Sequence, residues 1–559
     1  MAENLFDSDE TFPRLSPELL AVLDAAGERR PLAEGEVLYR AGDQASEFFV
    51  VLSGLVAGID GHGTANEREL GSFGERRFGG ELSLMTGQPA FVTGVVREAG
   101  EAIVLTRDQL KTVISQNQQL GDLLLGTFLA RRAVLIGLGT GVRLVGSSLS
   151  PDSRRLREFL TRNRIPHTFL DLESDEEADQ LLCELSIPPA DTPLVLRGTL
   201  ALRNPTVHEV AEALNLTTAT SPDEVCDTVV IGAGPAGLGA AVYAASEGLT
   251  TVLVDSTAVG GQASTSARIE NYLGFPAGIS GSDLAERASV QATRFGVRTT
   301  VPETVRALRF EDGYHVVELE GGERLRARTV VLATGAAYRR LNVPRLADFE
   351  GAGVYYAATT IEAQMCNGDP VVVVGGANSS GQAAVFLSRH VEHVDVLLRG
   401  GDLAAGMSRY LVDQVTGTPS IEVHTHTEVR ELHGNGALEA ITVEDTGQQA
   451  SRTIAARALF VFIGAEPCTG WLGDALAIDD HGFVLTGRQL PLTHLDPAQD
   501  GRERAPFPLE TSRPGVFAVG DVRSGSIKRV ASAVGEGAMA VRLIHQYLAT
   551  LDGTAAEAV

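Results

Sequence analysis

The sequence predicts a multidomain chain: an N-terminal β-roll, a compact α/β domain in the middle, and a long C-terminal α/β region. Three observations predict it. Up to about Arg132, short apolar segments alternate with glycines. From Gly141 a strand–helix alternation begins and continues for about 75 residues. From Asp227 the region to the end contains one strand–glycine turn–helix–strand unit twice, at Val229–Asp255 and Val372–Arg399.

Taken in order, Ser16–Ala25 reads as a helix, and Glu47–Val51, Gly54–Ile59 and Ala90–Val96 read as antiparallel strands. Thr106–Leu129 reads as a helix behind them. The middle domain reads as strand VRLVG, helix Ser153–Asn163, strand HTFLDL, helix Glu176–Leu185, strand PLVLR and helix Thr206–Leu214, with parallel strands expected. Thr217–Glu224 is a polar linker. A chain of 559 residues has room for three or four such units.

Composition excludes several functions. Lys+Arg total 46 against 72 Asp+Glu, a formal net charge of −26, which suits neither a nucleic-acid groove nor an anionic membrane surface. No apolar run approaches the ~18 residues of a membrane span. The acidic start, MAENLFDSDE, does not read as a signal peptide, so a cytoplasmic location is expected. The four cysteines, Cys183, Cys226, Cys366 and Cys468, form no Cys-x-x-Cys, so no zinc knuckle or local dithiol is expected. His424 and His426 alternate along an expected strand and read as a polar strand face rather than metal ligands. No metal site is expected.

The repeated unit carries the chemistry. Gly232-x-Gly234-Pro235-Ala236-Gly237 follows an apolar strand and opens a helix. The first glycine permits the tight turn, the second lets the backbone approach a pyrophosphate, and the third lets helix and strand pack closely. The helix N-terminus supplies amide donors for the phosphates. Asp255 ends the next strand, where a carboxylate accepts from a ribose hydroxyl. In the second copy Gly375 keeps the first position, followed by Gly376, Ala377, Asn378, Ser379 and Ser380. Arg399 stands where the first copy has Asp255, and a guanidinium there suits a 2′-phosphate. NADPH is therefore favoured, with NADH also admissible. Ala333-Thr334-Gly335 and Gly520-Asp521 end two further strands on glycine turns. Together these motifs predict a two-dinucleotide-binding flavoprotein, with NADPH at the second copy.

Over almost the whole of its C-terminal ~335 residues the chain resembles the low-molecular-weight thioredoxin reductase family. The matching motifs are GAGPAG at Gly232–Gly237, GGQ at Gly260–Gln262, IENY at Ile269–Tyr272, ATG at Ala333–Gly335, FAVGD at Phe517–Asp521 and KRVASAVGEG at Lys528–Gly537. The resemblance implies an FAD domain over 224–345 and 456–550, an inserted NAD(P)H domain over 346–455, a tail at 551–559 without fixed structure, and a homodimer. It implies that Gly261, Gln262 and Asn271 contact the flavin nucleotide, that Asp521 holds its ribityl or pyrophosphate part, and that Arg529 and Val530 lie near the isoalloxazine. The family's redox-active Cys-x-x-Cys falls here on Ala357 and Thr360, neither of which can form a thiolate. Cys366 is nearby but single and reads as an inert thiol.

Residues 140–216 resemble a thioredoxin or glutaredoxin domain, with Thr192-Pro193 at the place of that fold's cis-proline. Its dithiol positions carry Ser150 and Ser153, which read as helix caps. Residues 1–135 resemble a cyclic-nucleotide-binding β-roll through FGGELSLMTGQP at Phe78–Pro89. The resemblance implies a ligand at Gly80, Glu81 and Leu82, with Glu81 on the ribose. Ala90 or Phe91 stands where the family has its phosphate-binding arginine, with Arg97 as the substitute on the next strand.

The expected function is an NADPH-dependent FAD oxidoreductase without its own dithiol, passing electrons to an unidentified small-molecule or protein acceptor. Two alternatives stay open: a non-catalytic or weakly catalytic nucleotide or redox sensor, and a thioredoxin-disulfide reductase that borrows a partner's dithiol. A cyclic nucleotide or other small ligand is expected at the N-terminal domain.

Overall fold

The computed structural model describes residues 11–552, apart from 44–46, 65–66, 82–83, 85–88, 198–199, 215, 217–223, 267–268, 270–271, 351, 357, 359–362, 364–365, 367 and 492–504. Leu82, Asn271, Ala357, Thr360, most of the expected linker and the tail beyond 552 therefore lie outside the described residues. The chain divides into two compact units. The first joins Met1–Ala233 to Ala241–Val259 and Arg287–Arg328; the second joins Gly234–Ala240 to Gly260–Glu286 and Thr329–Val559.

The first unit begins with an antiparallel sheet ordered Glu28–Leu32, Thr93–Thr106, Glu47–Asp60, Arg68–Phe73. The strand Glu47–Asp60 is one continuous element where two were expected. Its period of two sends Phe48 and Val50 into one core and Phe49 and Val51 into another, so both faces are buried. The helix Pro17–Ala26 starts on the Ser16 hydroxyl, which accepts from the Leu19 N–H. The expected helix Thr106–Leu129 is two helices, Arg107–Gln116 and Gln118–Gly137. Asn117 divides them because its side chain caps the second by accepting from Leu120 N–H.

Next comes a four-stranded sheet ordered Leu200–Arg203, Leu194–Arg197, Val142–Gly146, His167–Asp171. Val142–Gly146 and His167–Asp171 are parallel, as expected. Leu194–Arg197 is antiparallel, contrary to expectation, and an unforeseen strand follows it. Only two residues separate that pair, too few for a parallel crossover. Helices Pro151–Arg162 and Val207–Ala213 cover one face through Leu156, Phe159 and Val210, and Glu176–Glu184 covers the other through Ala178 and Leu182. Phe91, Val92 and Leu135 of the roll belong to the first of these cores, so roll and α/β domain share packing.

The strands Val225–Ile231, Thr251–Val254 and Arg298–Thr300 are parallel neighbours. The sheet continues through Arg324–Leu332, Tyr314–Leu319 and Val305–Glu311. In the second unit, Val516–Ala518 joins the end of Arg324–Leu332 in parallel.

The second unit also contains a five-stranded parallel sheet ordered Val354–Tyr355, Ala458–Val461, Val371–Val374, Val394–Leu397, Ile421–His424. Val371–Val374 is buried at every position, as expected for a parallel strand covered on both faces. Helices Asn378–Leu387 and Arg409–Gly417 cover one side. The antiparallel strands Thr427–His433 and Ala440–Asp445 cover the other, with Ala450–Ala455 at their edge. Ala458–Val461 lies past the expected domain boundary at 455 yet pairs with Val371–Val374. The inserted sheet thus claims one more strand than the resemblance implied. His424 ends its strand, but His426 sits in the following turn at φ 55°, not on the strand.

Candidate functional site

The two copies of the glycine turn are built alike. In each, the first glycine's N–H donates to the carbonyl that ends the neighbouring strand: Gly232 to Val254 at 2.7 Å, Gly375 to Leu397 at 3.0 Å. Both glycines have positive φ, 103° and 142°. The repeat legible in the sequence is therefore a repeat in hydrogen bonding.

In the first unit Asp255 does more than await a ribose. One carboxylate oxygen accepts from Ala233 N–H at 2.8 Å, and the other from Thr257 and Ala258 N–H at 2.9 and 3.1 Å. Burial pushes its carboxyl above the usual range, against the pull of those amides. Three acceptor positions shape the loop, which leaves about one of a carboxylate's four for a hydroxyl.

In the second unit three glycine loops converge. A Cβ on Gly234 would find only the Gly261 Cα, at 3.9 Å, so space lies open beside it at the start of the helix Pro235–Ser246. Gly520 has φ 72°, and a Cβ there would stand 2.8 Å from the Ala236 Cβ. Ala236 and Gly237 belong to the helix's first turn, whose leading N–H groups have no intrahelical partner. Gln262 donates to the Ala336 carbonyl at 2.6 Å, tying the GGQ loop to the end of Ala333–Gly335. Thr334 donates to the Cys468 carbonyl at 3.0 Å, and Cys468 N–H to the Gly335 carbonyl at 3.1 Å. Arg529 is exposed at the residue preceding the helix Val530–Leu551, with Val530 half-buried at its first position.

Asp521 is half-buried, and the structure shows no hydrogen bond or ion pair for its side chain among the described residues. Burial pushes its carboxyl up; nearby Lys528 opposes this and Glu536 adds to it. An unspent carboxylate beside an open glycine cradle fits the sugar-alcohol and pyrophosphate portion of a flavin nucleotide.

Sequence reading missed the two residues that hold this loop. Glu536 accepts from Gly520 N–H at 2.7 Å and from Arg523 at 2.5 and 3.2 Å, with both side chains largely buried. Glu536 lies inside the KRVASAVGEG motif, between Gly535 and Gly537. Gly537 beside it admits no side chain, since a Cβ would lie 2.3 Å from the Ala236 carbonyl. Removing one partner of a buried pair costs about 3 kcal/mol. Glu536→Gln is expected to lower the melting temperature and to release FAD on gel filtration, while Glu431→Gln on an exposed strand position should do neither.

The second copy departs where expected. Ser380 is fully buried and turns its hydroxyl onto the Ala377 carbonyl at 2.7 Å. Asn378 accepts from Ser408 N–H at 2.7 Å, and Ser379 stays exposed. Gly376 packs under Leu398, whose Cδ1 would lie 2.2 Å from an added Cβ. Arg399 is exposed just past the strand Val394–Leu397, with no ion pair among the described residues. Arg409 pairs with Asp413 at 3.1 Å.

The remaining expected groups resolve as follows. Cys366 is 1% exposed within the apolar core of the inserted sheet. Cys226 donates to the Arg326 carbonyl, and burial pushes its thiol up to about 12. All four cysteines are free. His424 contacts Asp395 at 2.5 Å and takes a hydrogen bond from Arg452, which makes it part of a polar strand face. Thr192-Pro193 is cis. The Ser150 hydroxyl caps the helix Pro151–Arg162, as read, but Ser153 is a buried third-position residue and not a cap. Arg97 pairs with Glu69 on the surface, away from the N-terminal ligand position it was to serve. Arg131 holds one oxygen of Glu81, Oε1, at 2.6 Å.

Two family models match the chain. The family described as pyridine nucleotide-disulphide oxidoreductase matches residues 226–537, more than half of the chain, and the cyclic nucleotide-binding domain matches residues 29–117. The "34.2 kDa protein in rubredoxin operon" of Clostridium pasteurianum is 30% identical over 322 residues, 58% of this chain and 97% of that protein. A thioredoxin reductase of Treponema pallidum (strain Nichols) is 32% identical over 325 residues, 58% of this chain and 98% of that one. The solved thioredoxin reductase of T. acidophilum is 27% identical, covering 59% of this chain and all of that one, with a TM-score of 0.49. Among the described residues no helix is long and apolar enough to cross a membrane. With two matched glycine turns and with Ala357 and Thr360 in place of cysteines, the chain belongs to the pyridine nucleotide-disulphide oxidoreductase family, as an FAD- and NAD(P)H-dependent oxidoreductase of thioredoxin-reductase type that lacks the redox-active Cys-x-x-Cys and carries an N-terminal cyclic nucleotide-binding domain.

Proposed function

We propose that the chain takes electrons specifically from NADPH and delivers them to an acceptor that reaches the flavin directly. The observation that carries the reading is the exchange of both family cysteines for Ala357 and Thr360, with the other four cysteines free. FAD, when bound, supplies two-electron acceptance from a nicotinamide and onward transfer. The residues bind and orient. Gly232–Gly237, Gly261, Gln262, Asn271, Ala333–Gly335, Gly520, Asp521, Arg529 and Val530 are assigned to the flavin nucleotide. Gly375, Gly376, Asn378, Ser379 and Ser380 are assigned to the nicotinamide nucleotide, and Arg399 to its 2′-phosphate. Asp255 is assigned first to its own loop and then to a ribose hydroxyl.

The domain limits follow the same reading, with the inserted NAD(P)H domain extended from 346–455 to include the strand Ala458–Val461. We assign residues 140–216 to a thioredoxin-like domain without a dithiol. Its mixed sheet, its helix starting at the serine pair, and its proline before the third strand support this. Its use is protein docking beside the flavin domain: within the first unit, Asn163 donates to the Thr257 carbonyl at 3.0 Å, just past Asp255. The N-terminal roll is a small-ligand domain. The family resemblance supports a homodimer, and the free thiols suit the cytoplasm.

Stopped-flow mixing tests the reading. NADPH is expected to bleach the flavin absorbance at least about tenfold faster than NADH at equal subsaturating concentration. No bleaching with either would leave only a sensor role.

A further inference from the structure

We infer that the middle domain clamps the flavin nucleotide's ribose end: Asn163 and His208 are positioning residues that hold Asp255 in place. This rests on the assignment of Asp255 to a ribose hydroxyl and gives residues 140–216 a part in that contact.

Asp255 follows the strand Thr251–Val254 and is fixed from two loops. Its own loop orients the side chain, through the N–H groups of Thr257 and Ala258 on one carboxylate oxygen. The segment after the strand Arg298–Thr300 orients the backbone. Asp255 N–H donates to the Thr300 carbonyl at 3.2 Å, and Glu303 N–H donates to the Asp255 carbonyl at 2.8 Å. Each loop also carries a contact from the middle domain.

The first contact is Asn163, which ends the helix Pro151–Arg162. Its Nδ2 donates to the Phe159 carbonyl at 2.9 Å and to the Thr257 carbonyl at 3.0 Å. An amide nitrogen carries two N–H groups, so both bonds are met together. One ties the amide to its own helix; the other makes it a fixed donor to the Asp255 loop. The helix end is held in turn. Buried Arg132 donates to the Asn163 carbonyl at 3.3 Å and to the Arg164 carbonyl at 3.1 Å. Arg164 has φ 53°, a left-handed backbone uncommon outside glycine, and the Arg132 bond supports it.

The second contact is His208, on the helix Val207–Ala213. Its Nδ1 stands 3.3 Å from Oε1 of Glu303, whose side chain is largely buried. Arg162, one residue before Asn163, adds charge. Burial pushes the Asp255 carboxyl up, and its amide donors and the Arg162 guanidinium oppose this. The middle domain's own cores are apolar and use neither Asn163 nor His208. Two helices far apart in sequence therefore spend polar side chains on the two loops that fix one carboxylate.

Dilution of the full-length holoprotein tests this, with the fluorescence of released FAD giving its dissociation constant. Asn163→Ala frees the Thr257 carbonyl and is expected to raise that constant about two- to tenfold. His208→Ala is expected to shift it in the same direction. Arg155→Ala, on the same helix as Asn163 but paired with Asp152 at the surface, should leave it unchanged. At saturating FAD the bleaching rate with NADPH should match wild type in both clamp variants, because only the ribose end is loosened. A fall in that rate as well would mean a general loss of structure and would overturn the inference. Should Asn163→Ala fail to fold by circular dichroism, the His208 variant decides, since that side chain is 47% exposed. Asp255→Asn separates the clamp from the assignment beneath it. Weaker FAD binding in Asp255→Asn, with wild-type binding in both clamp variants, would overturn the clamp alone. Unchanged binding in Asp255→Asn would overturn both.

Discussion

Gly234→Val is expected to yield a folded chain that has lost its FAD. The Gly234 backbone is not in the left-handed region, and the nearest atom to an added Cβ is 3.9 Å away, so the fold pays little for a side chain. The space that valine fills is the space a pyrophosphate needs to reach the first N–H groups of the helix Pro235–Ser246. Loss of even one such charge-assisted contact weakens binding by about tenfold or more. The expected result is colourless protein with an unchanged far-ultraviolet dichroism spectrum, and FAD content down by about tenfold. Gly520 is a poorer choice for this test. Its φ of 72° and the Ala236 Cβ at 2.8 Å would damage the fold as well as the site. Yellow, fully loaded Gly234→Val protein would mean that the cradle is not where the flavin nucleotide binds.

Arg399→Ala is expected to abolish the preference for NADPH. Arg399 is exposed just past the end of its strand with no ion pair among the described residues, so its removal disturbs no packing. A charge-assisted contact to a phosphate is worth roughly 1.5–3 kcal/mol, which is about 10- to 100-fold in KM for NADPH. KM for NADH and the reduction rate at saturation should stay as they are, since the contact touches neither nicotinamide nor flavin. Equal rises in both KM values would show that Arg399 supports the loop instead of reading the 2′-phosphate.

Much of this architecture is written in short-range pattern. The duplicated turn is legible because one geometry imposes the same residues twice: a glycine at positive φ, then a helix that starts immediately. Asp255 and Arg399 are legible because each falls at the end of the second strand of its unit. The Glu536–Arg523 pair is less legible. A carboxylate that receives a backbone N–H 16 residues away leaves no local signature. Arg131 is hidden for the same reason. It lies 50 residues from Glu81, on a helix whose pattern announces only an apolar face. The antiparallel direction of Leu194–Arg197 is not legible because three apolar residues and an arginine read alike in either direction. In each case the missing information is a pairing across the fold.

The central claim is that flavin is the only redox store in this chain, and an anaerobic NADPH titration tests it most directly. One flavin takes two electrons, so bleaching should be complete at about one NADPH per FAD. Thiol titration of the denatured protein should return the same four cysteines before and after reduction. An end point near two NADPH per FAD, with two thiols gained, would show a reducible disulfide in the chain and contradict the account.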